Sequence, residues 1–203
     1  MSLALTGAHR TGKTTLAKAL CERSGMTYVP SMTSQVFSDL GLPVGVPLSV
    51  DDRLRVQERV LETHIAQVRL AGNYYVADRC PIDFAAYTLL DVAMRCDPDQ
   101  EARVHAYLDR CLRLTGELFS AVVVVPPGIL YVVEEGKPPP SKAYQEAMNA
   151  MCVGLLRDNR VGVKLATLAR NNLRLEDRTE SVLAVWKALA QQASQEVAQS
   201  SVH

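Results

Sequence analysis

The stretch GAHRTGKTT, Gly7 to Thr15, constrains this 203-residue chain more than any other. A short apolar run, SLAL, precedes it, and LAKALCERSG, which reads as a helix, follows it. Gly7, Gly12, Lys13 and Thr14 stand at the spacing Gly-x-x-x-x-Gly-Lys-Thr, the signature of a loop that holds phosphates. Glycines let such a loop turn its backbone N–H groups inward with no side chain in the way. Those amides and the start of the following helix form a nest for anions. Lys13 then reaches the terminal phosphates as a point charge, and Thr14 offers its hydroxyl to a metal ion. Chance alone places these four letters in about one chain in a hundred of this length. Their position between an apolar strand and an amphipathic helix makes coincidence rarer still. The expected nucleotide-binding set is therefore Gly7, Ala8, His9, Arg10, Thr11, Gly12, Lys13, Thr14 and Thr15. The cofactors it implies are ATP and Mg2+.

The rest of the chain alternates short apolar runs with helical patterns. Strands are expected at Ser2–Thr6, Met26–Pro30, Asn73–Asp78, Ala121–Val125 and Val161–Leu168. Most are continuously apolar, as in strands covered on both faces. Helices are expected at Lys13–Ser24, Asp51–Ala71, Pro81–Met94, Asp99–Leu118, Ser141–Asp158 and through EDRTESVLAVWKALAQQ. Leu54, Val60, Leu61, Ile65 and Val68 recur at helical spacing in the second of these. The order predicts an α/β fold: a single doubly wound five-stranded parallel sheet with flanking helices and right-handed crossovers. Hydrophobic residues are 48% of the chain, enough for a core without metals or disulfides. One domain is expected over residues 1–203, ending in a fraying or flexible tail from about residue 192. Two segments read as mobile loops, Gly41–Val50 and the lid-like Glu134–Tyr144.

Lys plus Arg and Asp plus Glu are 22 each, so the formal charge is zero. This argues against nucleic-acid binding by bulk electrostatics and leaves a local basic groove open. The opening residues do not read as a signal peptide, and no apolar stretch reaches the length of a membrane span. The odd count of five cysteines, none at ligand spacing, reads as free thiols in a reducing cytoplasm. Cys80 draws notice only because it adjoins a charged pair.

That pair lies in YYVADRCPIDFAAY. Asp78 and Arg79 are expected at the carboxyl end of the third strand, where open α/β sheets bind ligands. Asp78 can hold a metal water or activate an acceptor hydroxyl, and Arg79 can bind a phosphate bidentately. Asp83, one turn into the next helix, is a further candidate. Helix capping by either aspartate is the plain alternative. The expected catalytic residues are Lys13, Asp78 and Arg79, with Thr14 and Asp78 toward the metal.

The phosphate loop, the VADRCPIDFAAY block and the proline-rich late loop together resemble P-loop nucleoside and nucleotide kinases. The likeness extends over most of Met1 to about Trp186. It is greatest to phage-type enzymes, including the 5-hydroxymethyluracil DNA kinases of phages with hypermodified thymine. More distant similarity runs to deoxynucleoside and ribosylnicotinamide kinases. The resemblance implies a P-loop NTPase fold and transfer of the γ-phosphate of Mg-ATP. The acceptor would be a nucleoside, a nucleotide or a hydroxymethylated base in DNA. If phage-encoded, the protein would work in the host cytoplasm. Asp78-Arg79 is similar to the acidic-Arg pair of deoxynucleoside kinases. RLRVQERVL looks like their base-reading helix, with Gln57 as hydrogen-bonder. Lys137 and Lys142 stand where their late loop carries paired arginines.

Two departures, the late loop with Lys137 and Lys142 but no paired arginines and the missing acid after the second strand, count against an ordinary free-nucleoside kinase. Deoxynucleoside kinases carry a carboxylate just after the second strand as general base. Here YVPSMTSQVF has Ser31 and no acid before Asp39. Asp78 or another carboxylate would have to take the proton. A DNA acceptor would need a groove drawn from Arg53, Arg55, Arg59, Lys137 and Lys142, with Tyr28, Phe37 or Tyr144 to stack on a flipped base. An ATP-binding switch that transfers nothing is the rival from another class. A GTPase is disfavoured, since no guanine-reading Asn-Lys-x-Asp motif is present.

Overall fold

The computed structural model describes residues 2–43, 45–129 and 141–200, with side chains as far as residue 191. Five parallel strands form one sheet in the order β2-β3-β1-β4-β5. They are β1 (Ser2–Thr6), β2 (Thr27–Val29), β3 (Tyr75–Asp78), β4 (Ala121–Val124) and β5 (Lys164–Thr167). The chain thus starts in the central strand and must cross both faces of the sheet to fill the flanks. Seven helices among the described residues do so: α1 (Lys13–Ser24), α2 (Thr33–Asp39), α3 (Val50–Leu70), α4 (Pro81–Val92), α5 (Pro98–Leu118), α6 (Lys142–Leu155) and α7 (Leu175–Ser200).

Side chains alternate across each strand and so sort the helices into two layers. Leu3 and Leu5 of β1 pack with Leu16 and Leu20 of α1 and Val182 and Leu183 of α7. Ala4, between them, faces the other layer with Ile82 of α4, Leu112 of α5 and Met148 of α6. All these residues are at most 8% exposed. Burial of one such leucine is worth about 2 kcal/mol, so the two leucine-rich layers fix the register of β1. A third cluster joins α2 and α3 to α4 and α5 through Phe37, Leu54, Leu61, Phe84 and Tyr107.

Local signals set the helix ends. Gly25 closes α1 at φ 72°, donating its N–H to Cys21. Ser49 caps α3 by accepting from the Asp52 N–H at 3.0 Å. Asp97 and Gln100 form a reciprocal capping box at α5, with Pro98 in its first turn.

Three features differ from the sequence reading. Helix α2 falls in a stretch to which the sequence reading assigned no element; its two buried side chains, Val36 and Phe37, are too few to write a helical period. Strand β5 is shorter than Val161–Leu168, and most of it is exposed, because it is an edge strand rather than a covered one. Helix α7 stays helical to Ser200, through most of the segment read as a fraying tail. Of the lid-like loop, residues 134–140 lie outside the described residues, while Ser141 caps α6 and Lys142–Tyr144 form its first turn. No described helix is long and apolar enough to cross a membrane.

Candidate active site

The parallel register brings the carboxyl ends of the inner strands to one line. Leu5 of β1 pairs with Asp78 of β3, and Thr6 pairs with Val124 of β4. The loop after β1 therefore leaves the sheet beside Asp78. Its first glycine has φ 132°, and a Cβ there would lie 2.6 Å from the Val125 carbonyl oxygen. Only glycine meets both conditions. Gly12 enters α1 at φ 79°.

Four elements hold the loop in place. Asp83 of α4 accepts the Gly7 N–H at 3.2 Å. Gln145 of α6 donates to the His9 carbonyl at 2.9 Å. Arg178 of α7 donates to the Thr11 carbonyl at 2.8 Å. Thr14, opening α1, donates its hydroxyl to Asp78 Oδ2 at 2.5 Å. Lys13 folds back on its own loop, donating to the Ala8 carbonyl at 2.5 Å and to Thr11 Oγ1 at 3.3 Å. Burial, and then nearby Arg79, lower its ammonium pKa to about 8, against the pull of Asp83 and Asp78. Burial, then Arg79, Lys13 and Arg10, hold the His9 imidazole down at about 4, so it is neutral near pH 7.

Asp78 and Arg79 sit where the sequence placed them. Asp78 is buried at the end of β3, within reach of both the Thr14 and Tyr28 hydroxyls. Arg79 has φ 101°, a rare backbone for a side chain of this size, and its N–H donates to the Leu5 carbonyl. This aims the guanidinium over the Tyr87 ring, 5.2 Å from its centroid, with Nη1 donating to Asp83 at 3.1 Å. Asp83 differs from its expected place beside an acceptor. It is fully buried, and its two oxygens accept from Gly7, Arg79 and the Cys80 N–H. It braces the loop and the arginine together. Cys80 is also fully buried, and burial pushes its thiol well above the ordinary range, which leaves no nucleophile there. All five cysteines are free.

Beyond Arg79, α3 and α4 enclose a polar interior. Arg53 pairs with Asp91 and lies over the Phe37 ring at 5.7 Å. Gln57 is 3% exposed, and its Oε1 has no hydrogen-bond partner among the described residues. Tyr144 stands between His9 and Tyr87, with ring centroids 5.6 Å and 6.4 Å away. After β2 the Ser31 hydroxyl bonds to its neighbour Thr33, and the sequence places no carboxylate there to serve as the expected base. Lys137 lies outside the described residues. Sequence reasoning missed Gln145, Arg178, Tyr87 and Asp91. Each is a common residue on an ordinary helix, and only the fold brings Gln145 and Arg178 to the loop, Tyr87 to Arg79 and Asp91 to Arg53.

Residues 2–178 match the family model described as an AAA domain. The chain belongs to this AAA-domain family. No curated protein sequence matches it. Among solved structures, deoxyadenosine kinase from M. mycoides with bound dATP superposes with a TM-score of 0.65 at 12% identity, covering 92% of this chain and 99% of that one. The same enzyme with bound dCTP gives 0.62 at 13% identity, covering 93% and 100%. The NadR protein in complex with NR gives 0.64 at 14% identity, covering 92% of this chain and 48% of that one. Identities this low establish a shared P-loop fold, to which the five-stranded parallel sheet conforms.

Proposed function

We propose that this protein is a Mg-ATP-dependent kinase that phosphorylates a nucleoside-type acceptor. The observation that carries the reading is the Thr14–Asp78 contact, with Arg79 as the next residue. It joins the phosphate loop to the start of the α3–α4 interior, so donor and acceptor sides meet at one point. Phosphoryl transfer asks mainly for such positioning and for positive charge around the moving group. Lys13 and Arg79 supply the charge.

The Thr14 hydroxyl and the Asp78 carboxylate are hard oxygen donors suited to Mg2+. The described residues hold no cluster of three metal-ligating side chains. Both facts fit an ion that prefers one or two protein oxygens plus phosphates and water. Bound there, Mg2+ would neutralise phosphate charge. Asp78 is also the carboxylate we assign to accept the acceptor's hydroxyl proton, since Asp83 is consumed by its three donors.

The acceptor is read as lying between α3 and α4, against Gln57, Arg53 and Asp91. A free nucleoside fits this reading better than DNA. Of the arginines that a nucleic-acid groove would use, Arg53 is buried in its pair with Asp91 and Arg55 pairs with Asp52. Arg59 lines an open cleft of about 390 Å³ with Met32, Gln35 and Thr63. The deoxyadenosine kinase and NadR structures lend the nucleoside reading a shared fold.

The test is transfer of label from γ-labelled ATP with Mg2+. Nucleosides, nucleotides, thymine DNA and DNA carrying 5-hydroxymethyluracil would be offered in parallel. Label in a free nucleoside is the expected result. Label confined to the modified DNA would replace the acceptor assignment with a phage-type DNA kinase. ATP binding with no labelled product would favour a nucleotide switch.

A further inference from the structure

Arg178 is a long way from the phosphate loop in sequence and in direct contact with it in space. It is 5% exposed in the first turn of α7. Its Nη2 donates to the Thr11 carbonyl at 2.8 Å. Its Nη1 lies 2.9 Å from the point where a Cβ on Gly12 would stand. The glycine thus leaves the space the guanidinium occupies, and no side chain separates that cation from the loop.

Among the described residues Arg178 pairs with no carboxylate, and its side chain hydrogen-bonds only to the Thr11 carbonyl. Burial alone acts on its charge, lowering its pKa from the ordinary arginine value. An arginine carries five donors and a permanent charge. Burying that charge without a counter-ion is costly, and buried ions are normally paired. Two other basic groups at the loop have acids nearby: Arg79 donates to Asp83, and Lys13 feels Asp83 and Asp78. Arg178 has only the loop. The anion that such a loop collects would complete it.

We propose that Arg178 is a donor-binding residue, anchored on the Thr11 carbonyl, whose guanidinium supplies charge to the phosphate chain of the bound nucleoside triphosphate. This rests on the reading of Gly7–Thr15 as a triphosphate site. It adds the C-terminal helix to that site.

Calorimetric titration of the full chain with ATP, ADP and adenosine tests it, using wild type, Arg178→Gln, Arg178→Lys and Lys13→Ala. Melting temperatures would be read alongside. Gln keeps an amide that can reach the Thr11 carbonyl but lacks the charge. The expected result is that Arg178→Gln loses about tenfold or more in ATP affinity and keeps its affinity for adenosine. Arg178→Lys should recover part of the loss. ATP bound equally by Arg178→Gln and wild type would overturn the proposal. So would an equal loss for ATP and adenosine, or no recovery with lysine, since either marks a packing role. If Arg178→Gln does not fold, Arg178→Lys against wild type decides, because a role in charge predicts near-normal discrimination of ATP over adenosine. Wild type that binds no ATP, or Lys13→Ala that binds it normally, would instead sink the phosphate-loop reading itself.

Discussion

The two halves of the site are built on opposite plans. On the donor side the backbone does the work. The glycines at 7 and 12 set the path of the loop, and Asp83, Gln145 and Arg178 fasten it through its amide and carbonyl groups. On the acceptor side the side chains do the work, and some are left wanting. Gln57 Oε1, Arg53 Nε and both ring nitrogens of His64 are buried without hydrogen-bond partners among the described residues. All three residues lie on the inner face of α3. Buried polar atoms cost stability unless satisfied. A stripe of them marks a surface shaped for something other than holding the fold together. The phosphate loop is fastened by the helices around it, whereas the inner face of α3 keeps a row of buried polar atoms that the described residues do not satisfy.

The sharpest way to break this contrast is Lys13→Ala. Activity should fall by at least ~1000-fold, about 4 kcal/mol of transition-state stabilisation, while the melting temperature holds or rises. Burial already disfavours the ammonium, so its loss should not weaken the fold. A stable and fully active variant would remove the donor assignment.

The next effect belongs to α3. Burial holds the His64 imidazole down at about 4, against the pull of Asp78, between the Phe84 and Phe119 rings. Folding therefore favours the neutral ring over an unfolded chain whose histidine titrates near 6.5. That contribution is whole above about pH 6.5 and is lost as pH falls toward 4. The difference is about 3 kcal/mol at full loss. Urea unfolding at pH 7 and pH 4.5 should show it, and His64→Leu should flatten the drop. His9 titrates in the same direction, so His9→Gln is the control. An unchanged pH dependence in His64→Leu would mean that the acceptor interior is not the acid-sensitive half.

Asp78→Asn tests the seam between the halves. Turnover should fall about 100-fold, ~2.7 kcal/mol, with the affinity for ATP without metal little changed. A loss of metal-free ATP affinity of the same size would move Asp78 wholly to the donor side. The smallest effect is the most telling. Gln57→Leu removes a buried unpaired acceptor and should raise stability by about 1 kcal/mol. It should raise the acceptor KM and leave the ATP KM alone. A destabilised variant with normal KM would make Gln57 an ordinary core residue.

The same contrast explains what the sequence could reveal. A phosphate loop is read by local backbone geometry, so its letters must fall at fixed spacing within nine residues, and they do. Asp78 and Arg79 were legible because strand ends in parallel sheets collect ligands, and continuous apolar runs marked the strand. The α3–α4 interior has no such rule. Arg53 and Asp91 are on different helices, and the sequence alone casts Arg53 as a solvated groove residue rather than a buried one. Asp83 was legible as a helix-start aspartate, but its bond to Gly7 across 76 residues was not. Helix α2 and the exposure of β5 were set by packing and by edge position, neither of which has a period to read.

The central position of β1 has a consequence for the order in which this molecule can come into being. β1 and the loop after it find their sheet neighbours only at residues 75–78 and 121–124, and the loop finds a further fastening at residue 178. A nascent chain halted before α7 would carry every letter of the motif and lack the arginine that seats it. If the loop binds nucleotide only once Arg178 seats it, capture would report that synthesis has passed α7, and chains stalled before it would leave ATP alone.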